Sequence, residues 1–568
     1  MAQERVLAVS ELFHMICGHL RPTAEGKQAL ARLACCCRRF MDPALDVLWS
    51  ELVHTRPLLD LIPSLTVTTG KTDFDDDVDT YTLLHPLGEE DWYRFDFYGS
   101  RVRNLLYDNH ADVDCKIYSQ LAEYRLTPML PNLRYLHWHH GPVDGILDTR
   151  FVAEVTPFLT NSLKIISVGT FYHEFLGWAL PVDDTHPLEV FLHMLPRRCP
   201  ATQEFVLFGT MPDIKLACLG KFKHLRLLDL AALCPEGRFV DDNMLNALAD
   251  LMFLEHLYGL QVFGGQVTRP SSTPGFPSLL HLSLSRADAS GSLILLNRIS
   301  SKSLRSFEID NLAASTPETI LACMSRLGQF SETIEEIDIR STAPHSVTKV
   351  GLPCIESLLM FHRLEILTVD LGEHTKWPIF TPEYADRIAC AWSRLKSLSM
   401  SQCHFPIQSF PAFASRCSLL ASLCIHTLFI TDPLGTMDIT LSLTPHRRLR
   451  NVNISSYSSI EEVGDYITAA GVLDRLFPRM NLKGGMGPIF WRVNALRDTR
   501  KAITQGVKLF SQITSEFTYH KLFRRLMSRV GSAKSFGTSG SIGNNQSSNA
   551  SSQNRIGPHR EGHGNGRS

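Results

Sequence analysis

Gly70-Lys71-Thr72 has the residue types that close a phosphate-binding loop, where glycine amides cradle phosphates, lysine neutralises them and the hydroxyl binds magnesium. The complete motif needs glycine five residues before Gly70, where Leu65 stands, and a helix afterwards, where an acidic run follows. Asp73, Asp75, Asp77 and Asp79 have calcium-loop spacing, but Val78 replaces the sharp-turn glycine and Leu84 the bidentate glutamate. His173-Glu174 begins a zinc-protease pattern whose second histidine is replaced by Gly177. Of His137, His139 and His140, which flank a strand, only His137 and His139 share a face, and two imidazoles lack a third ligand. Cys35, Cys36 and Cys37 are adjacent on a helical pattern and point about 100° apart, so they cannot converge on one zinc; small core residues account for them. There is no Gly-x-Ser-x-Gly elbow. These residues predict no catalytic centre, no metal and no cofactor.

The elements behind them must therefore explain the chain. Its 568 residues exceed one ordinary core, unless the core grows with an elongated repeat. With 44% hydrophobic and 20% charged residues and a formal net charge of -2, no global field draws it to nucleic acid or membrane. The opening MAQERVLAVSELF lacks a signal peptide's apolar run, no stretch reaches the roughly 20 apolar residues of a membrane span, and 14 cysteines are irregularly spaced. Reduced thiols in the cytoplasm, the nucleus or both are expected.

Three short amphipathic helices are predicted in the first fifty residues. Val9, Leu12, Phe13, Ile16 and Leu20 form one stripe behind a Ser10 N-cap. Pro22 and Gly26 break the pattern; Leu30, Leu33, Ala34 and Cys37 form the second face. Asp42-Pro43 reads as a cap and first turn for a third helix with Leu45, Leu48, Trp49 and Leu52. So small a unit finishes its core against a partner or a neighbouring domain. These segments, VLAVSELFHMICGHL, LARLACCCRRF and MDPALDVLWSEL, resemble the F-box, particularly the form common in mushroom-forming fungi. Matching positions are Leu7, Val9, Glu11, Leu12, Ile16 and Leu20, then Leu33, Cys37, Arg38 and Phe40, then Leu48 and Trp49. The family usually has proline where Ser10 stands, a residue that helps the first loop dock on the adaptor. On residues alone, the same helices could instead cap a solenoid.

From about residue 100 to 455 an apolar-x-x-apolar-x-apolar pattern recurs, opened by Val102-Leu105-Tyr107. It continues as Leu133-Leu136-Trp138, Leu163-Ile166-Val168, a degenerate Thr202-Phe205-Leu207, Leu225-Leu228-Leu230 and Leu254-Leu257-Gly259. Later copies are Leu279-Leu282-Leu284, Leu304-Phe307-Ile309, Ile334-Ile337-Ile339, Leu364-Leu367-Val369, Leu395-Leu398-Met400, Leu420-Leu423-Ile425 and Leu449-Val452-Ile454. From Leu225 to Leu449 successive copies start 25 to 31 residues apart, enough for one strand and one helix. Helical stretches between them include one with Met244, Leu245, Leu248 and Leu251 on one face, and two opening with prolines at 317 and 382. This resembles leucine-rich repeats of the long, helix-containing kind, although the hallmark Asn or Cys after the strand is clear only at Cys403, so irregular repeats are expected.

The expected fold is α/β: a three-helix F-box at 1–55, a linker and N-cap region at 56–99, an irregular solenoid with a parallel concave sheet and outer helices at 100–460, capping helices at 461–530 and a disordered tail at 531–568. Residues 66–92 read as an acidic exposed linker. The helical pattern at 500–530 packs on the last repeat or faces a membrane surface or partner. The resemblance implies a non-catalytic substrate receptor of an SCF-type ubiquitin ligase. Leu7, Val9, Leu12, Ile16, Leu20, Leu33, Cys37, Phe40, Leu48 and Trp49 would dock on a Skp-family adaptor and, through it, a cullin, while the repeats bind a target protein. Arg226, Asp229, Arg305, Glu308 and Asp338 are candidate target contacts, or plain solvated charges. The other readings are a repeat scaffold without a ligase role and an enzyme on an irregular α/β fold.

Overall fold

A computed structural model describes residues 10–483 apart from 22, 72–76, 109–112, 114–115, 126, 141–148, 171–185, 210–214, 232–239, 268–272, 314, 342–350, 372–379, 430–444, 457–471 and 480. Leu7, Val9, Asp73, Asp75, His173, Glu174, the 500–530 pattern and the tail therefore lie outside the described residues.

Three helices open the described chain: α1 (Ser10–Leu20), α2 (Ala24–Cys36) and α3 (Arg38–Leu48). The turn between α1 and α2 is tighter than the breaker reading implied. Thr23 caps α2 by accepting from the Gly26 amide at 3.0 Å, so Gly26 lies inside the first turn. A Cβ there would sit 1.6 Å from the Leu20 carbonyl oxygen; only glycine lets α1 end so close. Asp42 and Pro43 do not start α3. That helix begins at Arg38 after an extended Cys37, which places Pro43 in its second turn. Leu52 is not helical either; it belongs to β1 (Glu51–Leu52).

Between the helices and the repeats, the described residues of the expected linker form regular elements. β2 (Leu65–Lys71) and β3 (Asp77–Leu83) form an antiparallel hairpin, and α4 (Glu89–Gly99) buries Trp92 and Phe95. Alternating threonine, valine and tyrosine favour a half-solvated strand. Tyr81 anchors the hairpin by donating to Asp60 at 2.7 Å. Gly70 and Lys71 pair with Val78 and Asp77, so these two residues of the phosphate-loop fragment are hairpin strand, and Thr72 lies outside the described residues.

The remaining strands are β4 (Asn104–Asp108), β5 (Tyr135–His140), β6 (Ile165–Thr170), β7 (Glu204–Phe208), β8 (Leu227–Asp229), β9 (His256–Val262), β10 (His281–Ala287), β11 (Ser306–Ile309), β12 (Glu336–Arg340), β13 (Ile366–Asp370), β14 (Ser397–Pro406), β15 (Ser422–Phe429), β16 (Asn451–Ser456) and β17 (Asn481–Lys483). With β1 at one edge they form one 15-stranded sheet in chain order, with β2 and β3 left out. Every neighbouring pair is parallel. Helices or short helical turns run between most successive strands, so each crossover returns the chain to the same end of the sheet. This is the predicted leucine-rich-repeat architecture, and the degenerate copy at Phe205-Leu207 is β7. The strand series also runs past residue 460, to β17.

The apolar triplets stack into one continuous buried row. Leu105, Leu136, Ile166, Phe205, Leu228, Leu257, Leu282, Phe307, Ile337 and Leu367 are all essentially inaccessible. Each repeat covers its neighbour's leucines, so the core extends with the chain. Gly259 shows how one copy departs from the pattern. Its φ of 80° makes a bulge, Leu260 takes the third apolar place, and the pairing with β10 shifts so that Leu260 faces Leu284. Hydroxyl groups near the strand starts link repeats through backbone: Ser301 donates to the Leu279 carbonyl at 2.8 Å and Thr333 to that of Leu304 at 2.7 Å. Cys403, the hallmark residue, is fully buried at the irregularity between Met400 and His404. The helices between strands begin where expected, with Asp241, Thr316 and Thr381 capping by accepting from Met244, Thr319 and Tyr384 amides.

Candidate functional site

The three helices hold a small core of their own. Phe13, Cys17, Leu30, Ala44 and Val47 are buried, ringed by Leu20, Leu33, Ala34, Phe40 and Leu48. Phe13 stacks on Phe40 with centroids 4.5 Å apart. Phe13 and Cys17 are one helical turn apart, so they define the inward face of α1. The single stripe expected on α1 is in fact two. Leu12, Met15 and Ile16 point outward at 41%, 62% and 41% exposure. These spacings of three and four make a contiguous apolar strip with no cover among the described residues. Met15 was missed because the expected stripe merged residues from both faces; the Phe13–Cys17 repeat was the signal that separates them.

The adaptor set from the sequence thus divides. Leu12 and Ile16 are on the open strip, whereas Leu20, Leu33, Phe40 and Leu48 close the small core. Cys37 is exposed, as are Cys35 and Cys36, so the cysteine run is not core packing. Trp49 turns the other way. It ends α3 and packs on the repeat body, its ring 4.5 Å from Tyr98 of α4. Trp49 is a junction residue and adds nothing to the open strip.

Polar contacts reinforce that junction. Arg101, just before β4, bridges Asp42 at 2.7 Å and Asp46, both on α3, with its guanidinium over the Phe97 ring. The Arg101 side chain is largely covered, but both carboxylates are open to solvent, which screens the pairs. Arg21 bonds Ser50 and Glu51, and the Ser50 carbonyl accepts from the amides of Arg103 and Asn104 at 2.9 Å. Parallel pairing of β1 with β4 completes the joint. The open strip is therefore carried on a rigid mount.

The second surface is the concave side of the sheet. Residues between the second and third apolar positions form a row in register: Leu106, His137, Ser167, Val206, Asp229 and Tyr258 on β4 to β9. Ser283, Glu308, Asp338, Thr368, Ser399, Cys424 and Asn453 continue it from β10 to β16. The parallel row beside it includes Leu227, His256, His281, Ser306, Glu336 and Ile366. Apolar and aromatic groups predominate toward β4, carboxylates between β8 and β12, and small polar groups beyond.

Of the five sequence candidates, Asp229, Glu308 and Asp338 lie in the central row. Arg226 and Arg305 precede their strands at its rim, and both Glu255 carboxylate oxygens hold Arg226 at 2.8 Å. Asp338 was expected to be exposed; it is nine-tenths buried, its Oδ2 accepting from Arg340 at 2.6 Å. Burial pushes its carboxyl pKa up, and Glu308 and Glu336 add to the rise against the pull of Arg340. Burial also raises the Tyr258 phenol, with Asp229, Glu308 and Glu336 contributing. His256 and His281 stack with centroids 4.6 Å apart. Burial, then His256 and Arg305, lowers the His281 pKa. Tyr258, Glu336 and the two histidines were not named from sequence, although all occupy x positions of the repeat.

A cleft of about 780 Å³ opens elsewhere, lined by Arg125, Thr127, Pro131, Thr160 and Arg198 among others, with no carboxylate, histidine or thiol among the described residues of its wall. Burial pushes the Cys199, Cys323, Cys354 and Cys417 thiols up to about 12, which keeps them protonated and weakly nucleophilic. Among the described residues no group of three or more His, Cys, Asp or Glu is placed to hold a metal ion. None of their helices is long and apolar enough to cross a membrane.

No protein-family model matches this chain, and neither does any curated protein. Three solved structures share broad similarity. An internalin from Listeria monocytogenes is 12% identical over 74% of this chain and 95% of its own, with a TM-score of 0.33. The leucine-rich-repeat protein of Leptospira interrogans is 13% identical over 68% and 91%, at 0.36. A chain of the yeast Rad7 and Elc1 complex is 13% identical over 60% and 80%, at 0.30. At these scores the repeat assignment rests on the sheet geometry described above.

Proposed function

We propose that this chain is the target-binding subunit of an SCF-type ubiquitin ligase, with the three-helix unit docking on a Skp-family adaptor and, through it, a cullin. The observation that carries the reading is the outward Leu12–Met15–Ile16 strip on a three-helix unit whose sequence resembles the F-box. An open apolar strip on a rigid mount suits a stable interface, because little ordering entropy remains to be lost on docking. The concave sheet then holds a target protein near the ubiquitin-loading partners. In this reading the chain changes no bond itself; it raises the effective concentration of target near the catalyst. The test is co-purification of the full chain with a Skp-family adaptor, against the Leu12→Asp/Ile16→Asp variant. The wild type should retain the adaptor and the variant should lose it, since buried interface anchors typically contribute about 2 kcal/mol or more.

A second reading is a repeat scaffold without a ligase role, and the inward turn of Trp49 favours it, since capping the first sheet edge is a structural task for the same helices. No adaptor recovery by the wild type would select it, whereas equal recovery by wild type and variant would remove the Leu12–Ile16 strip as the docking surface.

A further inference from the structure

The concave face is not chemically uniform, and its middle offers a specific complement. Asp229, Glu308 and Asp338 lie in one row, with Glu336 beside them and Asp310 at the strand end. Arg340 pairs with Asp338 and, at 3.6 Å, with Asp310. Arg305 and Arg226 stand at the rim, the latter held by Glu255. Tyr258 and the stacked His256–His281 pair provide flat rings beside the carboxylates. His256 Nδ1 and the Tyr258 hydroxyl are within hydrogen-bond distance, at 3.1 Å.

A group of acids alone is commonly a solvated face, but Asp338 departs from that. It is 9% exposed, and its Oδ1 has no hydrogen-bond partner among the described residues. Its neighbours Ile337 and Ile339 point into the core, so Asp338 points into the concave face. A buried carboxylate oxygen without a donor is costly, and carboxylates crowd it from the adjacent strand and from its own. A cationic donor delivered from the concave side would satisfy the first and relieve the second.

We propose that the concave face from β8 to β12 receives an extended, arginine- or lysine-bearing segment of a target protein. This rests on the reading that the concave face holds the target. Strands about 4.8 Å apart make the patch roughly 19 Å wide, which an extended chain crosses in about six residues. The cation meets Asp338 and Glu308, and the rings of Tyr258 and His256 pack on its aliphatic stem or guanidinium plane.

The probe is a fluorescent peptide of alternating arginine and serine about six residues long, with a glutamate–serine peptide as its counterpart. Full-length wild type should bind the arginine peptide and not the glutamate one. Glu308→Gln/Glu336→Gln/Asp338→Asn should weaken binding about tenfold or more, and Glu318→Gln/Glu332→Gln, exposed acids outside the concave rows, should leave it unchanged. Asp229→Asn/Glu308→Gln leaves the Asp338–Arg340 pair intact and should also weaken binding, which guards against misfolding of the triple variant. Equal binding by wild type and both patch variants, or no preference for the arginine peptide, would overturn the proposal. Adaptor recovery is scored on the same preparations. If the adaptor binds and the peptide does not, this proposal alone falls; if the peptide binds and the adaptor does not, the ligase reading alone falls.

Discussion

The three-helix unit and the repeat body solve the same burial problem in opposite ways. The body adds strands, and each new repeat covers the leucines of the one before, so its core is continuous from Leu52 to Phe477. The helices cannot extend in that way. They enclose five buried residues and leave Leu12, Met15 and Ile16 outside. The body leaves exposed apolar side chains too, such as Val190, Met252, Phe253 and Met360, whereas the unit sets Leu12, Met15 and Ile16 side by side on one helix face. Arg101 and Trp49 couple the two, so anything held on α1 keeps a fixed relation to the sheet.

The contrast is broken most severely from the body side. Trp138 is fully buried and stacks on Tyr107 with centroids 4.0 Å apart, so Trp138→Ala should destabilise the protein by about 3–5 kcal/mol in chemical denaturation. Loss should propagate to neighbouring repeats, broadening the transition rather than only shifting it. Next comes the joint. Arg101→Met keeps packing on Phe97 but removes both carboxylate bonds to α3, and should cost about 0.5–2 kcal/mol, since both carboxylates are solvent-screened. Its signature in hydrogen exchange is faster exchange in α1 to α3 with β10 to β14 unchanged.

Smaller still, Leu12→Ser/Ile16→Ser should change stability by less than about 0.5 kcal/mol, because neither residue contributes to the small core. A large loss in denaturation would mean the strip is structural. The smallest effect concerns pH. Asp338 has a raised pKa in the folded chain, so the folded state binds its proton more tightly than the unfolded state does. Stability contributed by this group is therefore present below the ordinary aspartate range and lost as pH rises through the raised value. Asp338→Asn should remove that component, flattening stability against pH across the acid range in a denaturation series.

Much of the body was legible because one rule, apolar residues at fixed intervals, is imposed by every neighbour at once. Even the degenerate copy at Phe205 obeyed it. Gly259 was legible as an oddity but not as a bulge, because the compensating Leu260 depends on pairing with β10. The hairpin was misread because acidity was weighed above its threonine–valine alternation, although a solvated strand face tolerates both. In the helical unit, periodicity located the helices but not the direction of each face. Phe13 and Leu12 are adjacent apolar residues, and only packing against Phe40 settles which is inside. Trp49 was assigned outward for the same reason, since nothing local reveals Tyr98 half a hundred residues away. The concave chemistry was readable as x positions, yet the burial of Asp338 follows from crowding across strands that sequence spacing does not express.

Hydrogen exchange of the full chain, alone and with a stoichiometric purified Skp-family adaptor, tests the assignment most directly. We expect slowed exchange across Ser10–Leu20 with the concave strands unaffected. Unchanged exchange in that helix under saturating adaptor would contradict it.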